Sequence, residues 1–266
     1  DVYKRQGIEG AAVATVISMF VSMLFVMSHF FNTKHQVHFR VGCFRPKARI
    51  IRNIVSIGMA PFLMNLAASV VNIIMNNQLV REGGDLAIGA FGIINSFGML
   101  IVMCVLGLCQ GMQPIVGFNY GAGKHKRVKD VLLLTIRIAT LIVTVGFLAS
   151  ELFPRWLVRA FTDDPDLTAM AVHGMRLGYC LLFLDGFQIV VSVFLQSISK
   201  AQKAVFMGLS RQVIFLIPAL YFFSRWFGLT GVWLSIPAAD LLAAVVAILF
   251  LRSERRVFYP SSGRRV

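Results

Sequence analysis

Seven long apolar runs divide the chain, at 7–31, 53–80, 86–118, 128–153, 168–199, 204–227 and 229–251. A helix needs roughly 20 mostly apolar residues to cross a bilayer, and each run is at least that long. Short polar loops separate the runs. The pattern predicts an all-α, polytopic transmembrane helix bundle of about seven spans. The runs 86–118 and 168–199 exceed one span, so each is expected to tilt, kink or continue past the hydrocarbon. Seven helices and their loops leave no room for a separate soluble domain.

Polar residues inside these runs fall at helical spacing. Asn65, Ser69, Asn72 and Asn76 share one face of the 53–80 run, and Asp185, Gln188, Ser192, Gln196 and Ser199 share one face of 168–199. In 86–118, Asn95 lies deep, and Gln110 and Gln113 stand one turn apart near an end. Single polar groups often hydrogen-bond across membrane helices. Two long stripes point further, to a polar, water-accessible cavity between helices. Asp185 and Asp240 are the acidic residues set well inside apolar runs. A charged carboxylate there needs a proton, a cation or a cationic substrate beside it. An ion pair with Arg176 or Arg211, or a permanently protonated carboxyl, would serve as well. Pro61, Pro114, Pro218 and Pro237 lie within or beside spans and predict kinks.

Composition agrees with the membrane reading. The chain is 57% hydrophobic and 14% charged, against about 25% charged in soluble domains. Its net charge of +14 raises a nucleic-acid role, but the placement of charge argues against one. If 32–52 is cytoplasmic, the segments 32–52, 119–129, 199–203 and 252–266 hold 17 Lys and Arg, against 4 in 81–85, 154–167 and 224–228. That is the positive-inside bias. It predicts a multi-pass protein of the cell (inner) membrane with a cytoplasmic C-terminus. The four cysteines show no metal spacing, and His35-x-x-His38 reads as a solvated loop pair rather than a metal site. Lys4 and Arg5 before the first run resemble a signal peptide. The run has no convincing cleavage site, so a spanning helix is the better reading. The chain begins at Asp1 and enters that helix almost at once, as the C-terminal part of a longer protein would.

Residues 107–129 join the end of a long run to a basic loop, and carry two glutamines, Pro114, then Gly117, Gly121 and Gly123 where the backbone is expected to leave the helix. The sequence Gly107-x-x-Gln110-Gly111-x-Gln113-Pro114-Ile115-x-Gly117-x-Asn119-Tyr120-Gly121-Ala122-Gly123, followed by Lys124-x-Lys126-Arg127, resembles the second-lobe signature of multidrug and toxic compound extrusion (MATE) transporters. Gly58 to Asn65 is similar to the start of that family's seventh helix. Gly186-Phe187-Gln188 through Gln196 to Ala201 is similar to its tenth. The likeness covers most of 45–256 and is strongest to the bacterial MepA-like and DinF-like branches.

The resemblance implies half of a twelve-helix antiporter. Residues 7–31 would be the last helix of a missing N-terminal lobe, 32–52 a basic cytoplasmic linker, 53–251 a six-helix C-terminal lobe, and 252–266 a basic cytoplasmic tail. It implies export of organic cations or drugs in exchange for Na+ or H+, with no other cofactor. Sodium-coupled members often place acids on the seventh and tenth helices. Here the seventh offers Asn65 and Asn72, and Gln188 stands roughly where an acid on the tenth is expected. The expected substrate- or ion-binding residues are Asp185, Gln188, Asn65, Asn72, Asn76, Gln110, Gln113 and Gln196, with no metal site. The expected partners are the lipid bilayer, small organic cations and the missing lobe. The alternative is a flippase for lipid-linked oligosaccharides or precursors, which would line its cleft with several cations. An intramembrane enzyme would need a nucleophile–base pair or a metal-ligand cluster. Neither a His-Glu-x-x-His nor a paired-aspartate motif is present in the spans.

Overall fold

The computed structural model describes residues 7–31 and 48–254. Residues 32–47 of the expected linker and 255–266 of the expected tail lie outside the described residues. The chain divides into two compact units, Asp1–Ile57 and Gly58–Val266. The first contains α1 (Gly7–Phe31) and the opening turns of α2 (Ala48–Gly121). From Ala48 onward the expected linker is therefore already helix. In α1, the stretch Ala12–Phe31 is long and apolar enough to cross a membrane.

The second unit is an all-helical bundle. The rest of α2 is followed by α3 (His125–Leu152), α4 (Pro154–Arg159), α5 (Pro165–Gly178), α6 (Phe183–Ser197), α7 (Ala201–Leu209), a π-helical turn (Ser210–Leu216) and α8 (Ile217–Ser253). Two of these helices are folded back on themselves. In α2 the break is Gly84, at φ 66° and ψ −162°, and in α8 it is Gly228, at φ 56° and ψ −136°. Glycine takes such positive φ without a Cβ penalty. Both arms of α2 line one cavity, through Asn72 and Asn95, which a straight helix would hold about 35 Å apart. The arms are therefore antiparallel, as the separate runs 53–80 and 86–118 required. Gly228 likewise divides the runs 204–227 and 229–251.

The expected span at 168–199 is two helices. α5 and α6 meet at a bend of 59°. Tyr179, in the break, donates its hydroxyl hydrogen to the Ile94 carbonyl. It fits there because Gly98 opposite lacks a side chain, where a Cβ would strike the Tyr179 hydroxyl. No proline is involved. At the other end of α2 the helix runs through Gly117 and stops at Gly121, and the turn falls at Gly123, at φ 68°. Gly117 is thus an interior helical position rather than an exit.

Buried residues on α3 recur as Val128, Leu132, Thr135, Ala139, Val143, Gly146 and Ser150, a single stripe. That stripe meets α6, where a Cβ on Gly186 would press on Val143 and the Ala139 carbonyl. Trp233 of α8 is fully buried and packs beside Phe91 and against Gly174. At the fold-back of α8, Ser224 donates to Gln78 Oε1 at 3.2 Å or Glu82 Oε1 at 3.3 Å, joining the Gly228 and Gly84 turns.

The α8 fold-back sets a sharp steric test. A Cβ on Gly231 would run into the backbone carbonyl of Phe223, which cannot move without opening the turn. Gly231→Ala is expected to abolish the monodisperse peak of detergent-purified protein. Gly107→Ala, which meets nothing within 4 Å, should leave the elution profile unchanged.

Candidate functional site

Three separate segments bring charge into the apolar interior. Asp185 sits in the first turn of α6, just past the α5–α6 break. There the positive end of the helix dipole favours a carboxylate. Asp240 lies in the second arm of α8, and Arg211 on the π-helical turn. Pro218 follows that turn closely and has no N–H to offer the Ile214 carbonyl. A π register, in which each carbonyl reaches one residue further, relieves that deficit. The wider turn presents Arg211 and its neighbour Gln212 to one cavity.

Arg211 holds both acids. Its Nε donates to Asp240 Oδ1 at 2.7 Å, and its Nη2 lies 2.7 Å from the same oxygen. The same Nη2 is 3.1 Å from Asp185 Oδ1, outside hydrogen-bond geometry. Asp185 Oδ1 is buried without a hydrogen-bond partner among the described residues. The aspartate side chains are 8% and 4% exposed, and the arginine 31%. Of the two arginines considered as ion-pair partners, Arg211 is the one engaged, while Arg176, in the last turn of α5, is exposed and makes no ion pair among the described residues. Two carboxylates on one guanidinium leave one formal negative charge, which a proton or a cation from the cavity can neutralise.

The cavity measures about 350 Å³, within the range of about 300–1,000 Å³ common for small-molecule sites. Asn72, Asn95, Asp185, Arg211, Gln212 and Asp240 supply its polar wall. Phe91, Ile94, Met99, Leu216 and Ile236 are among its apolar lining. This is an amphipathic pocket with a polar, net-acidic edge.

The expected site residues separate. Asp185 and Asn72 line the cavity; Asn65, Asn76, Gln110, Gln113, Gln188 and Gln196 do not. Asn65, Asn76, Gln110 and Gln196 are exposed, and Gln113 is half-buried. Gln188 is buried one turn beyond Asp185, its Oε1 without a hydrogen-bond partner among the described residues. Ser199 leaves the α6 stripe altogether, because the helix ends at Ser197 and Ser199 turns at φ 63°. Gln212 and Tyr179 escaped the sequence reading. Adjacency to Arg211 is the one signal that marks Gln212.

A model of the MatE family matches residues 58–222. The chain belongs to the MatE family. This is the MATE family that residues 107–129 resemble. Among curated proteins, the multidrug export protein MepA of Staphylococcus aureus (strain MSSA476) is 29% identical over 242 residues, covering 91% of this chain and 53% of that protein. The chain thus spans about half the length of the curated relatives it matches. A solved structure of the MATE multidrug transporter DinF-BH is 35% identical, with a TM-score of 0.81 over 96% of this chain and 57% of that one. An outward-facing MATE family transporter of the MOP superfamily is 25% identical, with a TM-score of 0.82 over 96% of this chain and 58% of that one. This MatE chain is accordingly a multi-pass membrane protein with an all-α bundle.

Breaking a buried pair by removing one partner costs about 3–5 kcal/mol. Arg211→Gln should therefore lower the thermal midpoint sharply, and Arg211→Gln/Asp240→Asn should recover much of the loss. Thermal-shift measurements on the four members of this cycle check it. A double-variant loss equal to the sum of the two single losses would show that the contact carries no coupling.

Proposed function

We propose that the complete protein is a secondary active transporter, not an enzyme, that exports organic cations or drugs in exchange for Na+ or H+. This chain supplies its C-terminal lobe and the helix that precedes it, and an N-terminal lobe completes the cleft. The protein sits in the cell membrane with its C-terminus in the cytoplasm, in keeping with the positive-inside distribution of Lys and Arg. Membership of the MatE family and likeness to named multidrug exporters support the reading.

One observation carries the site assignment: Arg211 faces two buried carboxylates beside the cavity. The surplus negative charge suits a coupling cation, or the positive group of a substrate whose apolar body lies on Phe91, Ile94 and Ile236. Binding of a cation at Asp185 competes with Arg211, so occupancy and the geometry of the ion pair are linked. The flippase alternative is disfavoured here. Among the described residues lining the cavity the single cation is Arg211, already committed to two acids, so none of them offers a spare positive charge to a pyrophosphate.

Transport by the full-length protein in proteoliposomes tests this. An imposed Na+ or proton gradient is expected to accelerate export of a cationic dye, and Asp185→Asn should slow the gradient-driven part about ten-fold or more. Undiminished export at equal protein incorporation would remove Asp185 from the coupling site. Acceleration by only one of the two gradients would name the ion.

A further inference from the structure

At the end of α3 the bundle carries a second polar feature, remote in sequence from the Arg211 cluster. Leu152 closes α3, and Phe153 leads into the short α4, whose sequence is Pro-Arg-Trp-Leu-Val-Arg. Leu152, Phe153 and Trp156 stand 66%, 58% and 75% exposed. Trp226, beside the Gly228 turn, is 70% exposed. The Gly84 turn, the Gly228 turn and the start of α5 gather at the same end, since a Cβ on Gly83 would touch Leu229 and one on Gly89 would touch Leu167. Exposed tryptophans collect at the membrane–water interface, where ring and N–H face different media. Trp156 and Trp226 place that interface here.

Two cavities open beside α4. One, of about 370 Å³, is lined by Leu152, Phe153, Arg155, Trp156 and Arg176 among others, and no carboxylate among the described residues lines it. The other, of about 600 Å³, is lined by Arg155, Arg159 and Thr168, with Asp163 as its carboxylate. Arg155 faces both. Among the described residues no carboxylate lies within 4.0 Å of Arg155, Arg159 or Arg176. Guanidinium groups without a carboxylate partner, set in apolar concavities at the headgroup level, are built for a phosphate diester.

We propose that the cavity between α4 and α5 binds an anionic phospholipid of the adjacent leaflet. The headgroup phosphate lies between Arg155 and Arg176, and the acyl chains follow Leu152, Phe153 and Trp156. Arg159 adds long-range attraction from the outer cavity, where Asp163 partly offsets it. The lipid ties α4 to α5 across the 160–164 turn, where Asp164 already caps α5 by accepting from the Asp166 and Leu167 N–H groups at 2.9 and 3.2 Å.

The test uses the full-length protein in nanodiscs of phosphatidylcholine with a minor fraction of phosphatidylglycerol, released into native mass spectrometry. The wild type should retain phosphatidylglycerol well above its mole fraction. Each interfacial arginine is worth about a five-fold change in lipid affinity, so Arg155→Ala should lower the enrichment about five-fold and Arg155→Ala/Arg176→Ala about twenty-fold. Both side chains are exposed, so neither change threatens folding. Arg225→Ala, exposed at the same end but lining neither cavity, should leave retention unchanged. Wild-type enrichment in the double variant would overturn the proposal. So would an equal loss in Arg225→Ala, which would mean diffuse surface charge. Displacement of the lipid by millimolar inorganic phosphate would make the ligand a small anion instead, and would also overturn it.

Discussion

Arg211 keeps two carboxylates company in a place where neither is stable alone. Guanidinium does not release its proton in proteins, and a lone charge at membrane depth costs several kcal/mol. The three groups therefore have to meet, and much of the bundle is arranged so that they do. The fold-back at Gly228 brings Asp240 to the π-helical turn. The bend between α5 and α6 starts a new helix whose first turn carries Asp185 to the same guanidinium. Tyr179 holds that bend by reaching the Ile94 carbonyl across Gly98. The cluster is closed enough to be stable and short of one positive charge, and the proposed cation-coupled export would draw on that shortfall.

A second constraint shapes the polar residues: in lipid each backbone and side-chain hydrogen-bonding group needs a partner from the protein. Many hydroxyls in the spans satisfy themselves on their own helix. Ser69 donates to the Asn65 carbonyl at 3.0 Å, Ser96 to Gly92 at 2.8 Å, Thr135 to Val131 at 2.8 Å and Ser197 to Val193 at 2.8 Å. Such bonds reach one turn back and need no cavity. A stripe of Ser and Asn at helical spacing therefore overstates how much polar surface a cavity has. Within the 53–80 stripe, Asn72 reaches the cavity and Asn65 and Asn76 do not.

The middle of the bundle and its α4 end divide the chemistry. Near the middle, charge is buried, paired and in deficit of a cation. At the α4 end, arginines are exposed, have no carboxylate partner among the described residues and stand among tryptophan and phenylalanine. The same residue type serves opposite purposes because its surroundings differ: Arg211 is held by fixed acids, whereas Arg155 and Arg176 face concavities open to the interface.

The residues alone were enough for the membrane class, the run boundaries and the family, since length, apolarity and a basic glycine-rich loop are local properties of the chain. The breaks at Gly84 and Gly228 were legible as gaps between runs. The split at 179–182 was not, because it depends on Tyr179 finding a carbonyl on another helix rather than on a proline or a polar loop. Periodicity singled out Asp185 and left Asp240 as a second isolated acid, but named Arg211 only as one of two possible partners. Helical spacing reports which residues share a face of one helix. Which faces then meet is decided by how helices cross, so the Asp185–Arg211–Asp240 cluster, drawn from three segments, and the exclusion of Gln110, Gln113, Gln188 and Gln196 from its cavity, belong to the tertiary structure.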